Sequence, residues 1–361
     1  MELIPGLPND VARECLIRVP YNHFSSIPSV SKTWKQEIES EQFHQMRKTG
    51  GLSRTVIAMV QAETKTKLGG PAAKYVAPAY WLTLYEPETG AWSRLPAIPG
   101  YPNGMPLFCQ CVSVGQSIVV IGGWNPITWE VLKVVYVYDF ISATWRRGAD
   151  MSGPSRSFFA CASDSTRTVF VAGGHDQDKN ALSSALAYNV AEDKWVHIAD
   201  MEKQRDECTG IFTSGKFYVI GGYSSDMQGR FMKSAEAFDA VTCTWDQVND
   251  DFMETGTCPK TCAATENGAM YRCSSGNVEV LDNGNPWRKI AEVPEDVRVG
   301  LHLVTWQDKV LVTGSDRCGG LCNSYVLEFV KAKAKELRKW EKIETPHDFK
   351  GHVQVGCSLD I

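Results

Sequence analysis

A chain of 361 residues, 43% of them hydrophobic, is long enough for one large domain with a small attachment. Its net charge of −5 argues against a general nucleic-acid or membrane surface, and no apolar run approaches the roughly 18 residues of a membrane span. The opening Met-Glu-Leu-Ile-Pro-Gly-Leu-Pro has no basic region ahead of an apolar core, so the twelve cysteines are expected as reduced thiols in the cytoplasm or nucleus, not as a disulfide framework.

Residues 2–43 read as short helices. Leu7-Pro8 leads into Asn9-Asp10, a helix cap, after which Val11, Cys15, Leu16 and Val19 recur at helical spacing until Pro20. Phe24, Ile27 and Val30 form a second apolar stretch, broken up by Pro28. Ser31-Lys32-Thr33-Trp34 starts another helix that carries Ile38 on the side of Trp34, and Glu41-Gln42-Phe43 closes the segment. So small a helical unit struggles to bury a core of its own, and its apolar faces are expected to dock on another chain.

This order of landmarks resembles an F-box over residues 1–45. The resemblance implies that Leu7, Pro8, Leu16, Val19, Pro20, Val30 and Trp34 meet a Skp-type adaptor and, through it, a cullin. The bland alternative is a helical cap packed on the rest of the chain. His44 to Ser53 is polar and contains Gly50-Gly51, which predicts a linker over residues 46–53.

From residue 54 onward one pattern recurs. An apolar strand ends in a glycine pair at Gly122-Gly123, Gly173-Gly174 and Gly221-Gly222. An aromatic-bearing strand follows (Val137-Tyr138-Asp139, Ala187-Tyr188-Asn189, Ala237-Phe238-Asp239), then Trp145, Trp195 and Trp245. A period near fifty residues with this order resembles kelch repeats. Each unit is then a four-stranded blade that seals its faces against its neighbours around an axis. The glycine pair allows positive φ without side-chain bulk, and each tryptophan fills the gap against the adjacent blade.

Divergent copies flank these three. Thr55–Val60, Trp81–Tyr85 and Trp92 make an earlier one, with a Gly69-Gly70-Pro71 loop; Ala269–Arg272, Val278–Asp282 and Trp287 make a shortened one; Lys309–Gly314, Tyr325–Glu328 and Trp340 make the last. Six tryptophans therefore predict six blades over residues 54–361. The first blade lacks an inner strand and the stretch His352–Leu359 is an orphan, so the C-terminal strand is expected to complete that blade and close the ring. The fold class is thus mainly β, a six-bladed kelch β-propeller with a small α-helical F-box.

Small residues at Ala160-Cys161-Ala162, Cys208-Thr209-Gly210 and Cys262-Ala263-Ala264 fit crowded strands near the axis, where cysteine acts as a small hydrophobe. Cys258-x3-Cys262 and Cys318-x3-Cys322 are nominal zinc halves that nothing completes, and the seven histidines form no copper cluster. No catalytic triad, phosphate loop or carboxylate pair is present, so neither enzymatic activity nor a cofactor is expected. What recurs is a basic residue leading into each inner strand: Arg156, Arg205, Lys260 and Arg298. The loops after the glycine pairs add Trp124, Asn125, His175 and Tyr223, with Arg317 by analogy. Arginine forks beside aromatics make a protein-recognition face, the alternative being that each arginine braces its own loop. The basic run Lys331–Lys342 is expected as a solvated hairpin between outer strands of the last blade, a nuclear signal being the other option.

The layout resembles the plant F-box/kelch-repeat family. The resemblance implies a non-catalytic substrate receptor of an SCF-type E3 ubiquitin ligase that binds a protein target on the propeller face. Phenylpropanoid ammonia-lyases and cytokinin response regulators are targets of some members. A kelch scaffold without any ligase link is the alternative.

Overall fold

The computed structural model describes residues 2–64, 78–265, 268–282, 286–332 and 335–361. The Gly69-Gly70-Pro71 loop lies outside them. Four helices come first: α1 (Asn9–Leu16), α2 (Ile27–Val30), α3 (Lys32–Ile38) and α4 (Glu41–Thr49), with a 3₁₀ turn at Tyr21–Ser26. Ser31 and Ser40 cap α3 and α4, each accepting a backbone N–H at 3.2 Å. Asn9 does not cap α1 but is its first residue, and its Oδ1 accepts the Leu3 N–H at 2.9 Å, which ties down the N-terminal arm.

Six four-stranded antiparallel sheets follow. The inner strands of the second to sixth blades are β4 (Gln110–Val114), β8 (Ala160–Ser163), β12 (Asp206–Thr213), β16 (Cys262–Ala264) and β20 (Val299–Trp306). The first blade is β1 (Thr55–Ala62), β2 (Tyr80–Glu86) and β3 (Ala91–Arg94), completed by the C-terminal β24 (Val353–Asp360) in the order β24-β1-β2-β3. The orphan strand closes the ring, pairing Thr55 with Asp360 through Gln61 with Val353. In the last blade β22 (Asn323–Ala332) pairs with β23 (Lys335–Ile343), so the described part of the basic run lies in a hairpin of outer strands.

Adjacent blades are joined by two repeated bonds. On the outside, the indole N–H of Trp145, Trp195, Trp287 and Trp340 donates to Pro96, Ala149, Phe252 and Glu292 carbonyls of the preceding blade at 2.7–2.9 Å, and Trp245 does the same to Ala199 at 2.6 Å. Trp92 departs from this: its indole stacks on Tyr85 and Phe349, with centroids at 4.7 and 5.4 Å. On the inside a girdle of hydroxyls circles the axis. Ser163 donates to Ser113 O, Ser113 to Ser358 O, Ser358 to Thr305 O, Thr305 to Ala264 O, and Thr213 to Thr265 O. Among the described residues the seam between the third and fourth blades has no such hydroxyl bond. There Gly210 lets the strands touch, since a Cβ on it would sit 2.6 Å from Cys161 N.

The helices are welded to the ring. Leu16, Ile17, Phe24, Ile27, Ile38 and Phe43 share one buried cluster with Val56, Ala58, Ile118, Phe140 and Leu359 of the first two blades. The segment 46–53 is accordingly not a loose linker. Helix α4 runs through Thr49, and Arg47, 2% exposed, binds the Ile17, Val19, Leu52 and Ile361 carbonyls while lying over the Phe24 ring. Its polar sequence hid this role because the acceptors are backbone atoms. Tyr21 adds a hydroxyl bond to Glu86 and an edge contact with Phe140.

Candidate interaction surfaces

The helical unit offers an apolar face to solvent. Leu7 is 37%, Val11 43% and Val30 65% exposed, with Pro8 and Pro20 exposed beside them. Leu16 is different: at 2% exposure it belongs to the core shared with the ring and is not a surface contact. Val19 and Trp34 are half-buried against the same core, and the Trp34 indole donates to Leu3 O at 2.5 Å. Val11 was the missed surface residue. It stood in the apolar helical pattern but outside the set expected to meet the adaptor, and α1 turns it outward. An Arg13–Glu37 ion pair at 2.7 Å fixes α1 against α3.

The second surface is the mouth of the central channel, a cavity of about 2200 Å³. Its walls carry Cys109, Cys111, Cys161, Cys208, Cys262 and Cys357, and helix α4 residues Glu41, His44, Gln45 and Lys48 edge the opposite end. Burial pushes the Cys109 thiol up to about 12; Cys111 is raised by its hydrogen bond with Cys357, with the sulfurs 3.9 Å apart, and by burial. Among the described residues no three His, Cys, Asp or Glu side chains converge as metal ligands.

At the mouth, Phe108, Phe158 and Glu207 occupy equivalent positions in successive blades and all have left-handed backbone, with φ of 56°, 52° and 51°. Gly300 takes the same conformation in the sixth blade, φ 60°. A side chain in that region costs about 1 kcal/mol that glycine avoids. The two phenylalanines head an aromatic arc: Phe108 lies 5.3 Å from Phe158 and 6.4 Å from Trp124, which is 6.4 Å from Trp129. Trp129 is 53% exposed.

The basic residues divide sharply. Arg156 and Arg205 are wholly buried and are braces, not recognition groups. Arg156 binds the Gly173 and Ser184 carbonyls at 3.2 and 3.0 Å and Ser184 Oγ at 2.9 Å; burial lowers its pKa to about 10. Arg205 repeats this on Gly221 O, Ser234 O and Ser234 Oγ, and adds Glu236 at 3.0 Å. In both blades the acceptors are the first glycine carbonyl of the pair and the serine just before the next strand. Arg298 donates to Gly276 O and Glu295. Lys260 and Arg317 are exposed, and the Lys260 ammonium lies 5.4 Å above the Phe158 ring.

The other loop residues are half-engaged. Trp124 donates to Ser157 Oγ at 2.8 Å, Asn125 Oδ1 accepts the Ile127 and Thr128 N–H groups, and His175 Nδ1 is 2.9 Å from Asp206. Tyr223 is buried, its hydroxyl donating to Glu207 at 3.1 Å. Phe108, Phe158 and Trp129 were the mouth residues that sequence reasoning did not select. The signal was available for two of them: Phe158 follows Arg156 as Glu207 follows Arg205, by two positions, and Phe108 stands one period earlier.

Comparison with known proteins agrees with this division. Residues 4–46 match the F-box domain, and residues 108–288 match the KLHDC2/KLHL20/DRC7 Kelch-repeats domain. The chain is 43% identical over 366 residues to the Arabidopsis thaliana F-box/kelch-repeat protein At1g15670 and 41% identical over 368 residues to At1g80440, covering 100% of each chain. It is 32% identical to the Arabidopsis F-box/kelch-repeat protein SKIP20, over 99% of this chain and 96% of that one. The solved structure of YjhT superposes with a TM-score of 0.57 at 13% identity, covering 72% of this chain and 91% of that chain, a likeness of fold alone. F-box domains in general bind Skp-type adaptors, kelch propellers bind protein substrates, and the two together are the general plan of SCF substrate receptors, whose ligase chemistry resides in other subunits. The chain belongs to the F-box/kelch-repeat protein family.

Proposed function

We propose that this chain is the substrate-recognition subunit of an SCF-type E3 ubiquitin ligase, holding a target protein at the channel mouth while the helical unit holds a Skp-type adaptor. One observation carries this. Of the eleven exposed large hydrophobic side chains among the described residues, Leu7, Val11 and Val30 lie on the helical unit, and Phe108, Ile127, Trp129, Met227, Val299 and Leu321 lie at or beside the mouth loops; Val196 and Val241 fall elsewhere. Apolar exposure concentrated in two separate patches supports two protein partners. The chain itself does no covalent chemistry and works in the cytoplasm or nucleus.

The targets to try first are phenylpropanoid ammonia-lyases and cytokinin response regulators. With adaptor, cullin and charged ubiquitin enzymes reconstituted, the chain should promote ubiquitin transfer to its target, and Phe108→Ala/Trp129→Ala should abolish transfer without loss of adaptor binding. The weld of the helices onto the ring through Arg47 favours a second reading, a scaffold whose helices only cap the propeller. Failure of the native chain to bind any Skp-type adaptor would select that reading and exclude the ligase role.

A further inference from the structure

The mouth is chemically uneven. Its second and third blades present rings, its fourth Glu207, its fifth Lys260, and its first His352 and Gln354. Phe108 and Phe158 are bulky side chains held in a backbone conformation that Gly300 meets without one, so the fold alone does not call for them. Phe158 is also where charge meets the arc. Lys260 Nζ lies over its ring, and no carboxylate among the described residues pairs with that ammonium. Of the acids nearby, Glu207 accepts the Tyr223 hydroxyl and Asp206 takes His175. Gln354 accepts the Phe108 N–H at 3.0 Å, and burial together with the Lys260 charge keeps the His352 imidazole below its ordinary range.

We propose that the mouth receives a segment of the substrate protein in which a bulky apolar side chain stands beside an aspartate or glutamate. The apolar group packs on Phe108, Trp129 and Phe158, and the side-chain carboxylate pairs with Lys260. This deepens the receptor reading and rests on it. A ring face offsets the lysine charge only in part, and a carboxylate arriving beside the ring completes the pair.

The test is selection of a random peptide library, displayed on phage, on the full chain in complex with its adaptor. The native chain should enrich sequences with Trp, Phe, Leu or Ile next to Asp or Glu. Lys260→Glu should exchange the acidic residue for Lys or Arg, and Phe108→Ala/Trp129→Ala should remove the enrichment. In the best peptide, made synthetically, Asp→Asn should weaken binding at least tenfold, while amidating its C-terminus should change nothing. Adaptor co-purification of each variant shows that it is folded. Enrichment of basic or uncharged sequences, an unchanged selection by Lys260→Glu, or loss of binding on amidation overturns the inference and leaves the receptor reading standing. If the native chain enriches nothing that the double alanine variant lacks, both fall.

Discussion

Arg205 carries a charge in a place that solvent does not reach, with Glu236 beside it at 1% exposure. Glu236 also accepts the Glu202 and Lys203 N–H groups, so one carboxylate organises the approach to the fourth blade. In the third blade Leu186 stands where Glu236 does, and Arg156 binds carbonyls without an acid. Removing one member of a buried pair leaves the other uncompensated, at a cost of about 3–5 kcal/mol. Arg205→Met should therefore lower stability to urea by that amount, and Arg205→Lys should recover little of it because an ammonium lacks the planar fork. A loss under about 1 kcal/mol would show that the pair does not brace the blade. The recurrence of basic residues was legible in the sequence, but their sense was not. Their acceptors lie far along the chain, and the one clue was a serine, Ser184 or Ser234, standing 28 or 29 residues after each buried arginine. Lys260 has no such serine and stays outside.

At the scale of elements, closure by β24 is the event on which the ring depends. That strand pairs with β1, and its Ser358 and Cys357 touch the sixth and second blades. Its approach is tight, since a Cβ on Gly356 would lie 2.8 Å from Ala58 O. Deleting residues 350–361 should destabilise the whole ring, read as loss of the native cooperative melt; an unchanged melt would contradict closure. The hydroxyl girdle should act more gently. Thr305→Val and Ser358→Ala should each cost about 1 kcal/mol, the net worth of one hydrogen bond, checked by denaturant titration. Closure was legible because a strand was missing at one end and spare at the other. The weld at Arg47 was not, since a polar stretch with two glycines looks the same whether its arginine points to water or to buried carbonyls. Leu16 and Val11 were misjudged for a related reason: helical spacing groups residues on a face without saying which partner covers it.

For the molecule as a whole, histidines partly withdrawn from solvent, His302 above all, set a limit in acid. Burial and neighbouring His352 push His302 down to about 4, and burial holds His44 and His352 below their ordinary range as well. The unfolded chain protonates His302 near pH 6.5 while the folded chain refuses that proton until about 4, so the stability it contributes is fully present above pH 6.5 and is lost as the pH falls toward 4. Between those two values the slope from His302 is about 1.4 kcal/mol per pH unit. His302→Gln should flatten the dependence of the urea midpoint between about pH 7 and pH 5; an identical profile would show that His302 does not contribute. The same ring carries apolar patches at its mouth and on its helical unit, and the account stands on these serving two different proteins. The most direct measurement is the affinity of a Skp-type adaptor for the native chain and for Leu7→Asp/Val11→Asp/Val30→Asp, whose side chains all reach solvent. The account predicts tight binding by the native chain and loss of at least about 100-fold, or roughly 2.7 kcal/mol, in the variant, with an unchanged melting transition. Equal binding by the two chains would contradict it.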